Sequence, residues 1–284
     1  MTYVTSHETI DEAGAEAVLE AAERRAREHR HRVVIAVAER SGELVALRRT
    51  PGAQIASSRV AVDKARTAAI FVRPSREIEQ QVSNGRLGAL ALQGARALTG
   101  GIPLKAGDQV VGAIGTSGET PDEDEAISIA GAAAEYSTST APALTDAGAR
   151  RAAEAVAHEC SKREVAPVCA VVDPGGELLY LWRPDAAQVA SVGVATDKAR
   201  TAAIYRRPSK DFEEQAASGR ASALHLARAV PLQGGIPIVG DGEVIGAVGV
   251  SGASSAEEDQ ELAVLGSQAL AEPAISSNGA KVEA

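Results

Sequence analysis

The chain has 284 residues, 45% of them hydrophobic and 24% charged, so it is long enough for one large domain or two ordinary ones. Its formal net charge of -9 disfavours a nucleic-acid backbone as a partner, and an aromatic content of 2% leaves few side chains for base stacking. The N-terminal residues lack the basic and apolar regions of a signal peptide, and no apolar run is long enough to span a bilayer. We therefore expect a soluble, cytoplasmic protein that binds neither nucleic acid nor membranes.

The first fifty residues predict a helix followed by a β-hairpin. Thr9-Ile-Asp-Glu12 has the spacing of a capping box, which predicts a helix that starts there and ends near Arg30. The apolar run Val33–Ala38 predicts a strand. Ser41-Gly42 then turns the chain into a second strand at Glu43–Arg49, which completes the hairpin.

Further helices and strands are predicted up to about residue 136. Gln54–Phe71 is helical in pattern and ends before a proline that cannot continue the helix. Gly100-Gly101 begins a short extended segment, and a turn leads from it into the strand Gln109–Thr116. Thr120-Pro-Asp-Glu123 caps a last helix, and Ser255-Ala-Glu-Glu258 is a second such cap further along the chain. Strands joined by tight turns, with helices packed on them, indicate an α+β fold with an antiparallel sheet.

The whole pattern occurs twice. Val60–Arg86 and Val194–Arg220 align without a gap and share 17 of 27 residues at an offset of 134. The same offset relates the two GGIP segments and the segments VVGAIGTSG and VIGAVGVSG. A single offset through several motifs indicates a tandem duplication of one domain rather than a solenoid. We predict a first domain at residues 1–140, a second at 141–270 and a flexible tail at 271–284, with the boundary near Thr138–Leu144.

The motifs DKARTAA, RPS, GGIP and GAIGTSG or GAVGVSG, in this order and spacing, resemble the GlcG/HbpS family. That family also includes the C-terminal domain of the PduO-type cobalamin adenosyltransferases. The resemblance covers roughly Thr9–Tyr136 and Thr145–Leu270. It implies two tandem profilin-like domains, each an antiparallel sheet flanked by helices.

The resemblance also implies a cofactor and a mode of assembly. Several members of the family bind haem, some are linked to haem degradation or iron sensing, and many have no assigned reaction. For this chain the resemblance implies a protein that binds haem or another tetrapyrrole and takes part in haem handling. It also implies a homo-oligomer built from fused pseudo-dimers, since a fusion of two protomers raises their effective concentration.

The repeated DKAR segment supplies the first candidate ligand-binding residues. On a helix, Lys64, Arg66, Lys198 and Arg200 are placed to receive the carboxylates of haem or of a small metabolite. The alternative is a tightly packed helix rich in alanine, whose charged side chains are solvated and pair weakly on the surface.

Two further pairs recur in both copies. Arg86 and Arg220 each follow a Gly, and either anchor an anion or follow a helix C-terminal turn. Ser117 and Ser251 end a strand within a Gly-x-Ser-Gly segment. No catalytic triad accompanies them, so we interpret their hydroxyls as turn groups or as donors to a bound anion.

Histidine distinguishes the two copies. At the offset of 134 residues, no histidine is shared between them. His158 and His225 belong to the second copy, and a haem iron bound by imidazole would therefore be confined to that copy. We predict His158 as the metal ligand and His225 as a second candidate, and the alternative for each is an ordinary surface or packing histidine. Tyr180, Trp182 and Tyr205 also favour the second copy for a flat ligand.

Acidic clusters begin the last helix of each copy, at Asp122–Glu125 and Glu257–Glu261. Carboxylates at this position complement the helix dipole, and a weak surface iron site is the alternative. The sequence thus leaves three functions open. The chain is a haem-binding protein, an enzyme that acts on a small carboxylated metabolite, or a non-catalytic assembly module.

Overall fold

The computed structural model describes residues 3–270, and the predicted tail at 271–284 lies outside them. The first part of the chain forms strands and helices in the order β1, α1, β2, β3, α2, α3, β4, β5, α4, β6. Their bounds are β1 Val4–Ile10, α1 Glu12–Glu28, β2 Val34–Glu39, β3 Leu44–Arg49, α2 Ser57–Ile70, α3 Ser75–Ser83, β4 Gly101–Ala106, β5 Gln109–Ser117, α4 Pro121–Ala132 and β6 Thr138–Leu144. A short 3₁₀ helix at Leu87–Ala91 follows α3.

The second part repeats this order. Its elements are α5 Asp146–Arg163, β7 Val168–Val172, β8 Leu178–Trp182, α6 Ser191–Tyr205, α7 Lys210–Ala217, β9 Gly235–Gly240, β10 Glu243–Ser251 and α8 Ala256–Gln268, with a 3₁₀ helix at Ala221–His225. Each half contains a four-stranded antiparallel sheet, ordered β3-β2-β5-β4 and β8-β7-β10-β9. The predicted α+β fold and the tandem duplication are therefore confirmed.

Strand β2 shows why helices cover both faces of the sheet. All but its last residue are buried, so both sets of alternating side chains need an apolar cover. Ile35 and Val37 pack in the cluster formed with α1 and α4, whereas Ala36 and Ala38 pack with alanines of α2. The small side chains on the α2 side bring that helix very close to the strands.

The described residues form two compact units. One is His7–Ala141, and the other combines the described parts of Met1–Ser6 and Pro142–Ala284. Strands β1 and β6 pair in a two-stranded sheet of their own. The boundary between the units falls within both strands, so each unit contains part of β1 and part of β6.

Strand β1 corrects the prediction for the N-terminus. Thr9 was expected to cap the first helix, but it lies in β1 and its hydroxyl donates to the carbonyl of Val111 at 3.4 Å. Asp11 is the cap instead, and its side chain accepts a 2.7 Å hydrogen bond from the amide of Gly14. The later predictions of caps at Thr120 and Ser255 agree with the structure, since both side chains accept from the amide three residues ahead. Among residues 3–270, no helix combines the length and the apolar character that a membrane crossing requires.

Candidate functional site

The lysine of the first DKAR segment ends in a buried ion pair. Lys64 Nζ donates hydrogen bonds to the carbonyl oxygen of Thr116 at 2.8 Å and to Asp124 Oδ2 at 2.7 Å. Lys64 is 4% exposed and Asp124 is 2% exposed. The pair thus joins α2, on one face of the sheet, to the first turn of α4, on the other face.

The second copy contains the same arrangement. Lys198 Nζ donates to the carbonyl oxygen of Val250 and to Asp259 Oδ2, both at 2.9 Å. Lys198 is as buried as its counterpart, and Asp259 lies in the first turn of α8. The repeated DKAR segment therefore builds one polar contact in the interior of each unit.

Glycines in the strands allow each lysine helix to approach this closely. A Cβ atom on Gly101 would lie 2.2 Å from the carbonyl oxygen of Lys64, and one on Gly235 would lie 2.1 Å from that of Lys198. Gly100 has a φ of 122°, and a Cβ there would lie 3.0 Å from Lys64 Nζ. The GGIP segments thus provide the space in which helix, strand and ammonium group meet.

The ion pair fixes the electrostatics of this region. Burial raises the pKa of Asp124, and the hydrogen bond and the charge of Lys64 oppose that shift. Asp124 Oδ1 also accepts from the amide of Glu119 at 3.0 Å, so both of its oxygens have partners. Separating such a pair would leave a desolvated charge, which is costly. In the structure both lysines thus bind carboxylates of the chain itself, and their binding of a ligand carboxylate stays a prediction.

The two arginines of the DKAR segments have different partners. Arg66 Nη1 lies 3.9 Å from Glu43 Oε1, and among the described residues its buried Nε has no hydrogen-bond partner. Arg200 donates to the carbonyl oxygen of Gly176 at 3.1 Å and to Asp197 at 2.9 Å. These differences follow the surrounding sequence, because Asp63, the counterpart of Asp197, pairs with Arg96 at 3.2 Å.

The arginines after the Gly turns are exposed. Arg86 and Arg220 follow the C-terminal turns of α3 and α7, where Gly85 has a φ of 90° and Gly219 a φ of 102°. Each arginine donates to the glutamine five residues earlier, at 2.6 Å and 2.8 Å. The two Gly-Arg turns are therefore helix C-terminal turns, as the alternative interpretation expects. The binding of an anion by either arginine stays a prediction.

The serines Ser117 and Ser251 are buried at the ends of β5 and β10. Ser117 pairs in register with Val34, and Ser251 pairs with Val168. Each precedes a glycine of positive φ that turns the chain towards the last helix. Their place at the strand end fits the interpretation as turn groups.

The two candidate histidines lie on different elements of the second unit. His158 is exposed on α5, whereas His225 is exposed at the end of the 3₁₀ helix that packs against α7. A shallow groove of about 460 Å³ runs between α5 and α8, with Arg151, Ala155 and Leu265 in its lining. Arg151 and His158 are seven residues apart, so they lie on the same outer face of α5.

The aromatic residues of the second copy mostly pack inside it. Tyr180 and Trp182 pack against the core beneath α5, and the Arg150 guanidinium lies 5.5 Å from the centre of the Tyr180 ring. Tyr205 meets the buried Phe212 edge-on at 5.0 Å and donates from its hydroxyl to the carbonyl of Ala227. The additional aromatic side chains of the second copy therefore contribute to the core of this unit.

Sequence comparison finds relatives that match part of this chain. "Protein GlcG" of Escherichia coli K12 is 42% identical over 94 residues, which is 33% of this chain and 70% of the relative. An "Uncharacterized 15.0 kDa protein in dhaT-dhaS intergenic region" of Citrobacter freundii is 36% identical over 124 residues, covering 42% of this chain and 87% of the relative.

Solved structures also match part of this chain. The Klebsiella pneumoniae protein ORFY covers 46% of this chain and 92% of its own, with 31% identity and a TM-score of 0.43. A structure titled "PduOC:Heme Complex" covers 45% and 94%, with 25% identity and a TM-score of 0.41. A family model described as "Haem degrading protein HbpS-like" matches residues 10–133 and again residues 144–268. The chain therefore belongs to the HbpS-like family and contains two copies of its domain.

Proposed function

We propose that this protein binds haem and that the second copy is the haem-binding unit. The observation that carries the proposal is the match of both copies to a family described as haem-degrading and HbpS-like. The chain's own residues determine which copy is the better candidate. A role in haem handling would follow from such binding.

The outer face of α5 supports the choice of the second copy. His158 is exposed there, and an imidazole is a common axial ligand of haem iron. The neighbouring groove between α5 and α8 offers Ala155, Val264 and Leu265 as apolar lining. Arg151 at the same groove carries a guanidinium suited to a propionate. An iron ligand and an anion partner thus lie on one face of α5, beside the apolar groove that α5 forms with α8.

The first copy lacks this combination. Arg24 occupies the position equivalent to His158, and it is an exposed residue that lies 3.8 Å from Glu20. A cationic guanidinium does not ligate iron. We therefore expect one haem for each chain rather than two.

Titration of the purified full chain with haemin, followed by absorbance in the Soret region, tests this proposal. We expect a saturable shift at one haemin per chain, which His158→Ala abolishes and Arg151→Ala weakens. His225→Ala tests the second candidate and should leave the shift intact, because His225 is exposed in the same unit but lies on another element. A wild-type chain that binds no haemin would overturn the proposal. A Soret shift that His158→Ala leaves intact would overturn the assignment of the ligand.

A second candidate function is self-assembly, and a specific repetition favours it. Four exposed apolar positions recur at the offset of 134 residues: Leu44 and Leu178, Ile55 and Val189, Leu90 and Leu224, and Leu98 and Leu232. Ile55 is 80% exposed and Val189 is 76% exposed. Contiguous exposed apolar side chains mark interaction surfaces. We propose that these recurring positions form such a surface and that it binds further copies of the chain.

A further inference from the structure

A group of side chains that could ligate a metal ion lies in the first unit, which does not contain α5 or α8. His31, Glu119 and Glu123 each present one potential ligand atom, and these three atoms lie within 4.8 Å of one another. His31 Nδ1 lies 3.7 Å from Glu119 Oε1. Two ligand atoms at zinc-bond length from one tetrahedral ion are about 3.4 Å apart, so only a small adjustment separates this pair from coordination geometry.

The backbone brings these residues together from distant parts of the chain. After α1, Arg30 adopts a φ of 58° and the amide of His31 donates to the carbonyl of Ala26 at 2.9 Å, which turns the chain towards β2. Gly118, with a φ of 154°, turns the chain after β5 and lies directly against this segment. A Cβ atom on Gly118 would lie only 2.3 Å from the carbonyl oxygen of Arg32, so a larger residue would not fit. His31 and Glu119 therefore become neighbours although 88 residues separate them.

Each carboxylate is oriented by contacts of its own. Glu119 Oε1 accepts a 2.7 Å hydrogen bond from the amide of Arg32. Glu123 Oε2 accepts from the amide and the hydroxyl of Thr120 as part of the capping box of α4. Hydrogen bonds that orient ligand groups in this way are typical of the outer shell of metal sites.

The ring of His31 is also held in place by a neighbouring residue. The ring of His29 stacks on the ring of His31 with centroids 5.6 Å apart and an angle of 24° between the planes. His29 in turn contacts Arg25, so it supports His31 from the side. The side chain of His31 is 16% exposed and that of Glu119 is 29% exposed, which leaves the group open to ions from solvent.

The donor set selects a class of ion. One imidazole nitrogen and two carboxylates suit a divalent first-row transition ion, whereas Mg²⁺ and Ca²⁺ prefer oxygen ligands alone. The two carboxylates balance the charge of a divalent cation, and water completes the coordination shell. Zn²⁺, which accepts nitrogen and oxygen ligands in tetrahedral geometry, is the natural probe.

The second copy provides an internal comparison. Glu164 repeats the positive φ of Arg30, and Val165 donates to the carbonyl of Cys160 as His31 does to Ala26. Val165 and Ala253 stand at the places of His31 and Glu119, and neither has a metal-binding side chain. The turn after the first helix is thus alike in both copies, and only the first copy has all three ligands. We propose that His31, Glu119 and Glu123 form a binding site for a divalent transition-metal ion that is specific to the first copy.

The experiment uses the full chain, freed of metal with a chelator and titrated with Zn²⁺ by calorimetry. We expect one strong site per chain, with affinity reduced by about tenfold or more in Glu119→Gln and in His31→Ala. Glu119→Gln keeps an oxygen that can accept from Arg32, so its fold is preserved, which circular dichroism checks. Glu258→Gln is the matched control and should bind as the wild type does. Glu258 follows the cap residue Ser255 as Glu123 follows Thr120, because one inserted residue shifts the offset to 135 here.

A second measurement uses Co²⁺, whose visible absorption reports its ligands. The wild-type chain should develop the bands of a four- or five-coordinate ion, and His31→Ala should lose them. The proposal is overturned if the wild type has no stoichiometric Zn²⁺ site, or if both variants bind Zn²⁺ as tightly as the wild type. Haem binding at α5 is measured by a different signal, so either proposal can fail without the other.

Discussion

Lys198 Nζ and Asp259 Oδ2 lie 2.9 Å apart in the interior of the second unit, and Lys64 and Asp124 repeat this contact in the first unit at 2.7 Å. The lysine comes from the central helix of each copy and the aspartate from the first turn of its last helix. The ammonium group also donates to the carbonyl of a residue near the strand end in each case. The lysine of each DKAR segment therefore has the same structural role in both copies.

Removal of the acid should destabilise the unit. In Asp259→Ala, Lys198 is left buried without a carboxylate, and breaking a buried pair in this way costs about 3–5 kcal/mol. The free energy of unfolding is measured in urea by the fluorescence of Trp182, the single tryptophan, which packs against the core of this unit. Glu257→Ala, an exposed acid in the same turn, should have a much smaller effect. Equal effects of both substitutions would contradict a stabilising role for the pair.

Two glycine substitutions, one on β10 and one on α6, should distinguish the energetic effect of packing from that of helix propensity. A Cβ on Gly249 would lie 2.0 Å from the carbonyl oxygen of Ala195, so Gly249→Ala must push α6 away from β10 and should cost at least about 1–3 kcal/mol. Gly193 is exposed on α6 with nothing near its Cβ position, so Gly193→Ala should stabilise by about 0.5–1 kcal/mol. Urea unfolding followed at Trp182 measures both. Changes of the same sign would refute the packing argument.

Local signals in the sequence were sufficient for much of the fold. Hairpin turns, helix caps at Thr120 and Ser255, and the constant offset between the copies each depend on residues close together in the chain. Strand β1 was missed because its partner β6 is more than a hundred residues away. The segment Thr9–Glu12 also has the spacing of a capping box, although Asp11 makes the cap.

The candidate site was harder to predict because it depends on whether each charged side chain faces the interior or the solvent. In the sequence, Asp124 is one of several acids that complement the helix dipole, and only its contact with Lys64, 60 residues away, shows that it faces inward. Its spacing of three and four residues from the buried Ile127 and Ser128 was the available signal. The grouping of His31 with Glu119 had no such signal, because it depends on the packing of two turns.

Charge introduced on the repeated apolar surface should reduce self-association. In the double variant Leu90→Lys and Leu224→Lys, two cations replace exposed leucines at equivalent places, so contacts between chains should be lost. Light scattering coupled to size-exclusion chromatography should show a smaller particle than for the wild type. Val239→Lys is the matched control, because Val239 is equally exposed but its counterpart in the first copy is already Lys105. A wild-type chain that is monomeric throughout would rule out the assembly surface.

The buried thiol of Cys160 should make the stability of the second unit depend on alkaline pH. Burial raises the pKa of Cys160 from 9.0 to about 11, and burial raises the pKa of Cys169 as well. As the pH rises past the unfolded value, the unfolded thiol loses its proton before the folded one does. The unfolded state then binds fewer protons, so the free energy of unfolding falls as the pH rises towards the folded pKa. Below the unfolded pKa this contribution to stability is fully present.

Lysines also titrate in this range, so the comparison with Cys160→Ala isolates the effect of the thiol. Urea unfolding of both chains, followed at Trp182 between about pH 8 and about pH 11, should give a shallower decline in the variant. The native wild type should also react slowly with a thiol reagent near neutral pH and rapidly once it is unfolded, because both thiols are buried. Parallel pH profiles for the two chains, or fast labelling of the folded protein, would show that Cys160 is not held in the protonated, inaccessible state that its burial requires.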